Sequence, residues 1–540
     1  MHEPPSSDQR TCLSGLQNPN TTPIYAQYAS GTHVTFGRRV AGSWRCHQMQ
    51  NGTLIAAVDL GSNSFRLEIG RLQHGQIQRS EYLKETVRQG SGLDEERRLR
   101  ADAMQRGWDC LARFAERLAG FPRTQVRAVA TQTLREARNR EDFLVRATEI
   151  LGFPIDVISG PEEARLIYQG VARLLPQSDE RRLVIDIGGR STEMILGQQY
   201  NAQVMASYRV GSVAWSMKYF PQGLFTQQAF MTAEIAAKAV LDEALDSYRR
   251  DSWDIAYGSS GTVGAVADIL AAAGEPAGVI SRSALHWLKE RLLRAQNAER
   301  VRMEGLKDDR RAVIGGGVSV LTAIFDLLGI DEMHVAQGAL RQGVLYDLLD
   351  REQPHTDLRA TTVVSLCERF QVDQAQAERV RDAALALYRQ IENPIDERAE
   401  RKLAWAASLH EIGIQISHSD YHRHGAYILD NTDAPGFALP ELHRLSLLIL
   451  GHRGKLRKLE ADFSDAAFVA QLLCLRLAVA LCHARRTPDL SPLELACDGM
   501  AFTLHLSQAW CQQFPQSAHL LREEAIAWQK TPWSLDLLVS

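Results

Sequence analysis

Short apolar runs, glycine-containing turns and amphipathic stretches alternate along the chain from Leu54 to about Leu349. Strands that alternate with helices produce this pattern, so it predicts an α/β architecture for that part. Beyond Asp350 the strand pattern almost disappears, and apolar residues recur at helical spacing in stretches such as 375–391 and 402–409. The chain is therefore predicted to have an α/β part followed by a helical part.

Polar segments mark both ends of the α/β part. The first 50 residues are rich in Ser, Thr, Pro, Gln and Asn without sustained periodicity, which predicts a disordered extension over 1–52. Met49 lies just before the first apolar run and is a candidate translation start. The stretch 350–357 contains Pro354 and marks the predicted boundary with the helical part.

Composition narrows the classes of function. A chain of 540 residues exceeds one hydrophobic core, so two to four domains are expected. The formal net charge of −4 disfavours a general nucleic-acid binder but leaves local basic patches open. The 8 cysteines are scattered without a CxxC pair, which is typical of reduced thiols in the cytosol. The sequence has no apolar run near the roughly 20 residues that cross a bilayer and no signal-peptide pattern, so we predict a cytoplasmic location.

An internal repeat organises the α/β part. Val-Asp-Leu-Gly-Ser-Asn-Ser at 58–64 matches Ile-Asp-Ile-Gly-Gly-Arg-Ser at 185–191, and each run continues into a second apolar stretch. The positions that coincide without a gap are Asp59, Gly61, Ser64 and Gly70 with Asp186, Gly188, Ser191 and Gly197. One such element would be a plain β-hairpin, whereas two copies predict a duplicated domain whose hairpins face each other across a cleft.

Each hairpin turn carries groups that suit a phosphate. Its glycines leave backbone N–H groups open to an anion, and hydroxyl donors stand beside them at Ser62, Ser64, Ser191 and Thr192. Asp59 and Asp186 fall at strand ends, where a carboxylate can hold a divalent metal or a metal-bound water. The alternative is an Asx-type turn, in which the Asp only bonds its own backbone. The duplication favours the phosphate site.

Two further glycine runs precede predicted helices, at 257–262 and at 314–318. Glycine loops that open helices bind anions because free N–H groups and the helix dipole point outward. Glycines also serve simple strand-to-helix turns, but four such loops in one α/β unit favour a phosphate-binding protein.

The run 57–65, together with 184–189 and 258–262, resembles the exopolyphosphatase and guanosine pentaphosphate phosphohydrolase family, over roughly residues 53–530. That family belongs to the superfamily of actin, sugar kinases and heat-shock ATPases. The resemblance implies an α/β fold of two duplicated actin-like (ribonuclease H-like) domains, at 53–178 and 179–352. An all-α, HD-like C-terminal domain is implied for 353–540.

The resemblance also assigns roles. Glu163, in Gly-Pro-Glu-Glu-Ala-Arg at 160–165, would be the general base for the attacking water, and Arg135 a phosphate clamp. Mg²⁺ would lie near Asp186 and Glu193, with Asp59 as a further ligand. Phosphate would be held by Gly61, Ser62, Asn63, Ser64, Gly188, Gly189, Arg190, Ser191, Gly258, Ser259, Ser260, Gly261 and Thr262. From the residues alone, Glu162 and Glu163 are equally typical of a helix start after Pro161.

One position departs from the family pattern, which usually reads Asp-x-Gly-Gly-Gly-Ser in the second hairpin. Here Arg190 replaces the third glycine. Its side chain either clashes with bound phosphate and slows turnover, or swings out and adds a positive charge near the substrate. It aligns with Asn63 of the first repeat, so we expect the fold to tolerate it.

The helical part resembles an HD phosphohydrolase domain in His410-Glu411 and the later His418, His422, His424 and His452. The Asp of that domain's metal site is replaced by Glu411, so we interpret this part as a vestigial scaffold. Family members use it to guide polyphosphate, and Arg453, Lys455, Arg457 and Lys458 would line such a channel. A solvated, charged helix end is the competing interpretation.

The favoured hypothesis is an exopolyphosphatase that releases orthophosphate from the end of inorganic polyphosphate. The first alternative is a guanosine pentaphosphate 5′-phosphohydrolase with the same site. The second is a catalytically weak protein that binds polyphosphate or alarmone, which Arg190 would favour. The resemblance implies a homodimer, and peripheral membrane contact stays open.

Overall fold

A five-stranded sheet forms the core of the first α/β domain in the computed structural model, which describes residues 49–351, 356–391 and 396–540. The strands lie in the order β3-β2-β1-β4-β5, with β1, β4 and β5 parallel and β2 and β3 antiparallel to their neighbours. The strands are β1 (Leu54–Leu60), β2 (Phe65–Gln73), β3 (Gln76–Glu85), β4 (Val126–Ala130) and β5 (Ile155–Val157). The helices are α1 (Ala101–Leu118), α2 (Gln132–Glu136), α3 (Arg140–Leu151) and α4 (Gly160–Ala172).

A six-stranded sheet forms the core of the second domain, in the order β10-β11-β9-β6-β7-β8. Its strands are β6 (Arg181–Ile187), β7 (Thr192–Gln198), β8 (Asn201–Tyr208), β9 (Ile255–Ser259), β10 (Val279–Ser281) and β11 (Glu332–Val335). Its helices are α5 (Ser212–Tyr219), α6 (Gln227–Leu241), α7 (Ala244–Ser247), α8 (Ser260–Ala272), α9 (Arg282–Ala295), α10 (Asp308–Arg311) and α11 (Ile314–Leu328). Helix α12 (Leu340–Arg351) follows β11.

The two sheets repeat one arrangement, as the sequence repeat predicts. In both, an antiparallel three-strand meander is extended by two parallel strands on the side of its first strand, and the second sheet adds β10 antiparallel to β11. Asp59 pairs in register with Arg66 and Asp186 with Glu193, which are equivalent positions of the two hairpins. Both second strands carry a register shift at the glycine that the repeat aligns, between Ile69 and Gly70 and between Leu196 and Gly197.

Helix α12 packs against α4 and β1 of the first domain, although 179–352 was predicted as the second domain. The contact is close because glycines lie on both helices. A Cβ on Gly343 would lie 1.8 Å from the Leu166 carbonyl oxygen, and one on Gly170 would lie 2.1 Å from that of Ala339. The helix buries Val344, Leu345 and Leu348 in the same apolar cluster as Ile55. The chain therefore returns to the first domain before it enters the C-terminal region.

The C-terminal region is mainly helical, as predicted. Its helices are α13 (Leu358–Arg369), α14 (Gln374–Ile391), α15 (Glu397–Leu409), α16 (Tyr421–Asn431), α17 (Leu439–Gly451), α18 (Ala466–Leu481), α19 (Gln508–Gln513) and α20 (Pro515–Trp528). The all-α prediction is wrong, because β12 (Glu494–Asp498), β13 (Ala501–Leu506) and β14 (Ser534–Val539) form a sheet. Phe502, Leu504 and Leu506 alternate inward from β13 into the core.

The glycine run 314–318 is not a phosphate loop, contrary to the prediction. Gly315, Gly316 and Gly317 lie buried in the first turns of α11. A Cβ on Gly316 would lie 2.4 Å from the Ser212 carbonyl oxygen. These glycines are needed for close packing of α11 on α5.

The predicted extension 1–52 lies outside the described residues up to residue 48. Of its last residues, Met49 packs against an apolar cluster and the Gly52 N–H donates to the Leu72 carbonyl over 2.8 Å. Within the described ranges, none of the helices is both long and apolar enough to cross a bilayer.

Candidate active site

The two hairpins border a cleft of about 420 Å³ between the α/β domains. Asp59 and Asp186, at the carboxyl ends of the equivalent strands β1 and β6 of the two sheets, both line it. Ligands bind at this end of the strands in open α/β sheets. The hairpin turns face each other closely, since a Cβ on Gly189 would lie 3.1 Å from the Ser62 Cβ.

The first hairpin turn presents donors without partners. Gly61, Ser62, Asn63 and Ser64 all line the cleft. Thr133 Oγ1 donates to Ser62 Oγ over 2.8 Å, which ties the turn to α2. Among the described residues, Asn63 Nδ2 and Ser64 Oγ are buried and have no hydrogen-bond partner. Buried donors are rarely left unpaired, so an acceptor-rich ligand would complete this turn.

The second turn lines the cleft with Gly188, Gly189 and Ser191. The third predicted phosphate loop contributes Ser260, Gly261 and Thr262 at the start of α8. Gly258 and Ser259 are not among the residues of the cleft wall, because they still belong to β9. A Cβ on Gly258 would lie 2.5 Å from Met333 Sδ, so this glycine serves packing.

Glu163 is a buried carboxylate on the cleft wall, 7% exposed, in the first turn of α4. Burial raises its pKa to about 7; Arg135 opposes that rise, whereas Asp186 and Asp59 add to it. A general base works best when its pKa is near the working pH. The predicted base therefore has a suitable position and a suitable pKa.

Arg135 lies beside Glu163 and is not among the residues of the cleft wall, so its role as a phosphate clamp stays a prediction. Its two Nη atoms each lie 3.1 Å from Oε2 of Glu163, and its Nη1 also donates to the Ile158 carbonyl over 2.7 Å. These bonds leave Glu163 Oε1 without a hydrogen-bond partner among the described residues. Arg135 thus orients the carboxylate so that one oxygen is left for water.

Arg135→Gln should move the acid limb of the kcat/KM–pH profile upward by about one pH unit or more. The guanidinium favours the charged carboxylate, so its loss raises the pKa of Glu163 further, and the deprotonated base appears only at higher pH. Profiles from pH 5 to 9 measure the shift. Arg140→Gln, at an exposed arginine paired with Glu141, is the matched control. An unmoved acid limb would remove Glu163 from the titration that controls activity.

The three predicted metal ligands are not equivalent. Asp59 faces two arginines, Arg66 at 3.2 Å and Arg341 at 3.7 Å. Asp186 has no such partner within 4 Å in the described part, and burial raises its pKa to about 6. Glu193 lies behind the cleft wall, 1% exposed, and accepts from Ser207 Oγ over 2.7 Å. Asp186 is therefore the carboxylate best placed to receive a cation.

The described residues contain no ready-made cluster of three metal-ligating side chains. Mg²⁺ commonly binds through one or two carboxylates together with substrate phosphates and water. Asp186, with Asp59 across the cleft, fits that mode, whereas Glu193 fits only a role behind Asp186.

Arg190 does not line the cleft. Its Nη2 lies 3.0 Å from Glu136 Oε2, and its Nη1 donates to the Gly90 carbonyl over 3.0 Å. Both partners belong to the first domain, so the side chain swings out from the phosphate turn and ties the two domains together. Of the two predicted orientations, the clash with phosphate is wrong, and the positive charge is paired with Glu136.

Arg190→Gly should raise KM roughly two- to fivefold with little change in kcat, since a partly exposed ion pair contributes about 0.2–1 kcal/mol. The loss leaves the Glu136 carboxylate, beside a cleft for anions, with only the more distant Arg209 at 4.0 Å. Arg190→Gly combined with Glu136→Gln should restore KM, because the uncompensated charge is gone. Equal kinetics in the parent and both variants would show that the pair does not affect substrate binding.

Five cationic side chains of the cleft wall were missed by the sequence analysis: Arg66, Lys84, Lys307, Arg310 and Arg341. Arg310 is 8% exposed, and its side chain has no hydrogen bond or ion pair in the described structure. A Cβ on Gly261 would lie 2.0 Å from Arg310 Nη2, so the glycine admits the guanidinium. Only Arg66 lies close to a predicted phosphate turn in the sequence, two residues after Ser64, and could have been identified from that position. The others come from distant loops and helix starts.

The candidate residues of the helical region lie apart from the cleft wall. The imidazoles of His410, His422 and His452 form a buried cluster, with ring centroids 5.7 Å and 6.2 Å from that of His452. Glu411 pairs with Arg485 at 2.8 Å. The predicted channel residues are exposed and flank buried apolar positions: Arg453, Lys455, Arg457 and Lys458. The HD-like assignment and the channel stay predictions.

Comparison with known proteins identifies the family of this chain. The model of the Ppx/GppA phosphatase family matches residues 69–352, and the model of its domain III matches 358–525. The chain belongs to the Ppx/GppA phosphatase family. Members of this family are hydrolases, so the chain is assigned to that class of enzyme.

Several curated family members are similar over almost their whole length. The chain is 41% identical to the guanosine-5′-triphosphate,3′-diphosphate pyrophosphatase of Vibrio atlanticus, over 90% of this chain and 98% of that protein. It is 40% identical to that of Vibrio cholerae, over 91% and 99%. Among solved structures, an exopolyphosphatase-like protein has a TM-score of 0.51 at 25% identity, covering 55% of this chain and 98% of that one.

Proposed function

We propose that this protein hydrolyses the terminal phosphoric anhydride bond of guanosine 5′-triphosphate 3′-diphosphate and releases orthophosphate. The observation that carries the reaction type is the cleft itself, where two phosphate turns, unpaired buried donors and the Glu163 carboxylate converge. The similarity to the Vibrio pyrophosphatases supports the nucleotide as substrate. It reverses the order of the two hydrolytic activities that the sequence analysis favoured.

The first task of the site is to hold a highly charged terminal phosphate. Backbone N–H groups of the glycine turns, Asn63 Nδ2 and Ser64 Oγ donate to its oxygens. Arg310 supplies an unpaired positive charge on the opposite wall. Charge neutralisation and positioning are most of what phosphoryl transfer needs from a protein.

The second task is to activate water. Oε1 of Glu163 accepts a proton from a water placed in line with the bond to be broken, while Arg135 holds Oε2. The P–O bond to the leaving diphosphate breaks as the new P–O bond forms, and the leaving group carries away the electron pair. Mg²⁺ bound at Asp186 would supply further neutralisation of the phosphate charge.

Phosphate release from the guanosine pentaphosphate and from long-chain polyphosphate, measured side by side with Mg²⁺, tests the substrate. We expect kcat/KM for the nucleotide to exceed that for polyphosphate ends at least tenfold. The reverse order would favour the exopolyphosphatase, for which the exposed basic residues 453–458 provide a surface that could hold the polymer. Release from neither substrate would favour the binding protein.

A further inference from the structure

A second cavity lies between the first α/β domain and the helical region, with a volume of about 450 Å³. Strand β4 and the C-terminal end of α12 form one wall, and α13, α15 and α17 form the other. Eight arginine or lysine side chains line it, against two carboxylates, Asp156 and Glu441. A concave, partly desolvated surface with this excess of positive charge concentrates anions.

The carboxylates of the cavity are already in use. Glu441 accepts from Arg359 over 2.8 Å and from Arg351 over 3.3 Å. Burial would raise the pKa of Glu441, but the two arginines outweigh it and hold the pKa at about 2. Asp156 is 3.6 Å from Arg127. Neither carboxylate is left for the other cations of the wall, of which Arg401 pairs with Asp357 and Arg444 with Asp465 outside it.

Part of the positive charge on this wall is incompletely partnered. Arg127, with a side chain only 5% exposed, pairs with Asp347 through its Nη1, but its Nε and Nη2 have no hydrogen-bond partner within the described residues. Lys402 on α15 is half-buried and Arg123 is exposed, and neither has an ion pair within 4 Å in the described part of the chain. Buried guanidinium N–H groups without an acceptor are costly unless a ligand supplies one.

We propose that this cavity is a second binding site for a polyphosphate group, separate from the catalytic cleft and beyond the proposed function. Arginine forks bind phosphate oxygens in pairs, and the mixture of buried and exposed cations suits several adjacent phosphates. The volume suits a triphosphate, either inorganic or carried by a nucleotide.

The position of the cavity relates it to the cleft. Helix α12 carries Arg351 at the cavity, whereas Arg341 at its other end contacts Asp59 at 3.7 Å in the cleft. Glu162, which bonds Arg165 at 2.8 Å, precedes the candidate base Glu163. A ligand at the cavity thus contacts α12, the helix that also carries Arg341 at the cleft.

Calorimetric titration with bis(methylene)triphosphonate, a non-hydrolysable triphosphate analogue, tests the site in the full chain. We expect two binding sites in the parent. Arg123→Glu combined with Lys402→Glu should weaken one of them at least tenfold and leave the other within twofold. Neither residue contacts the cleft, and neither has an ion pair to lose, so the fold should survive. A thermal melt checks that.

Arg300→Glu combined with Lys530→Glu is the matched control, since it reverses two exposed charges outside both cavities. The control should keep both sites. Hydrogen exchange of Glu397–Leu409 should slow when the probe binds the parent but not the cavity variant. One site in the parent, or equal weakening in the cavity and control variants, would overturn the proposal.

The triphosphate at the cavity is either inorganic or part of a nucleotide. Repeating the titration with a guanosine triphosphate analogue that has a β,γ-methylene bridge distinguishes these two ligands. Tighter binding of the nucleotide at the cavity would assign it to a nucleotide ligand, and equal binding to the triphosphate alone. Both results support the site, and absence of binding by either probe there would contradict it.

Discussion

Glu163→Gln should lower kcat by about 10²–10⁴-fold while substrate affinity stays nearly unchanged. The amide keeps the shape of the carboxylate and can still contact Arg135 through its oxygen. It cannot accept the proton of the attacking water. Single-turnover phosphate release measures the rate, and calorimetry with a non-hydrolysable substrate analogue measures the affinity.

Glu149→Gln is the matched control, because Glu149 is an exposed glutamate on α3 of the same domain. It should retain the activity of the parent. A Glu163 variant with more than a tenth of the parental kcat would mean that another group activates the water. The raised pKa of Glu163 would then have no role in catalysis.

Local chemistry explains which parts of the site the sequence could predict. Asp59 and Asp186 follow apolar strands and precede glycine turns, so the strand end, the turn and the second strand are all encoded within a few residues. The second copy of the hairpin indicated a duplicated domain, and the duplication predicted that the two hairpins face each other across a cleft. The resemblance added Glu163, which by sequence alone is an ordinary residue of a helix start.

Long-range contacts explain what the sequence analysis missed. Arg310 reaches the cleft only because Gly261, far away in sequence, leaves room for its guanidinium. Arg190 was recognised as unusual, but its partners Glu136 and Gly90 lie in another domain. The glycines of α11 looked like a phosphate loop because close helix packing and anion binding both require glycine.

The strands of the C-terminal region were missed for a different reason. Each is 5 or 6 residues long, and β12 buries only Leu495. An alternation of apolar and polar residues over so few positions is a weaker signal than the helical spacing of apolar residues in the flanking segments. The packing of α12 on the first domain could not be predicted either, because the sequence of α12 follows directly on that of the second domain.

Asp347→Asn should destabilise the protein by about 3–5 kcal/mol, the usual cost of removing one partner from a buried ion pair. Asp347, whose side chain is 5% exposed, accepts from Arg127, Arg165 and Arg351. Burial by itself would raise the pKa of Asp347, but the three arginines hold it well below the usual range. The amide would leave three buried cations without their shared anion, at the contact of α12 with α4 and β4.

Urea denaturation at pH 7 measures this loss as a lower midpoint of the transition that includes the first domain. Because the folded pKa is depressed, the stabilisation is present above pH about 4, the unfolded pKa, and is lost at lower pH. The parent and the variant should therefore converge as the pH falls below 4.

Asp350→Asn on the same helix is the control, since Asp350 is 32% exposed and 3.7 Å from Arg173. Adding Arg127→Gln to Asp347→Asn should recover part of the loss, because one uncompensated buried charge is removed. Equal stability of the parent and Asp347→Asn at pH 7 would mean that the arginines find water or anions instead, which the second cavity beside them could supply.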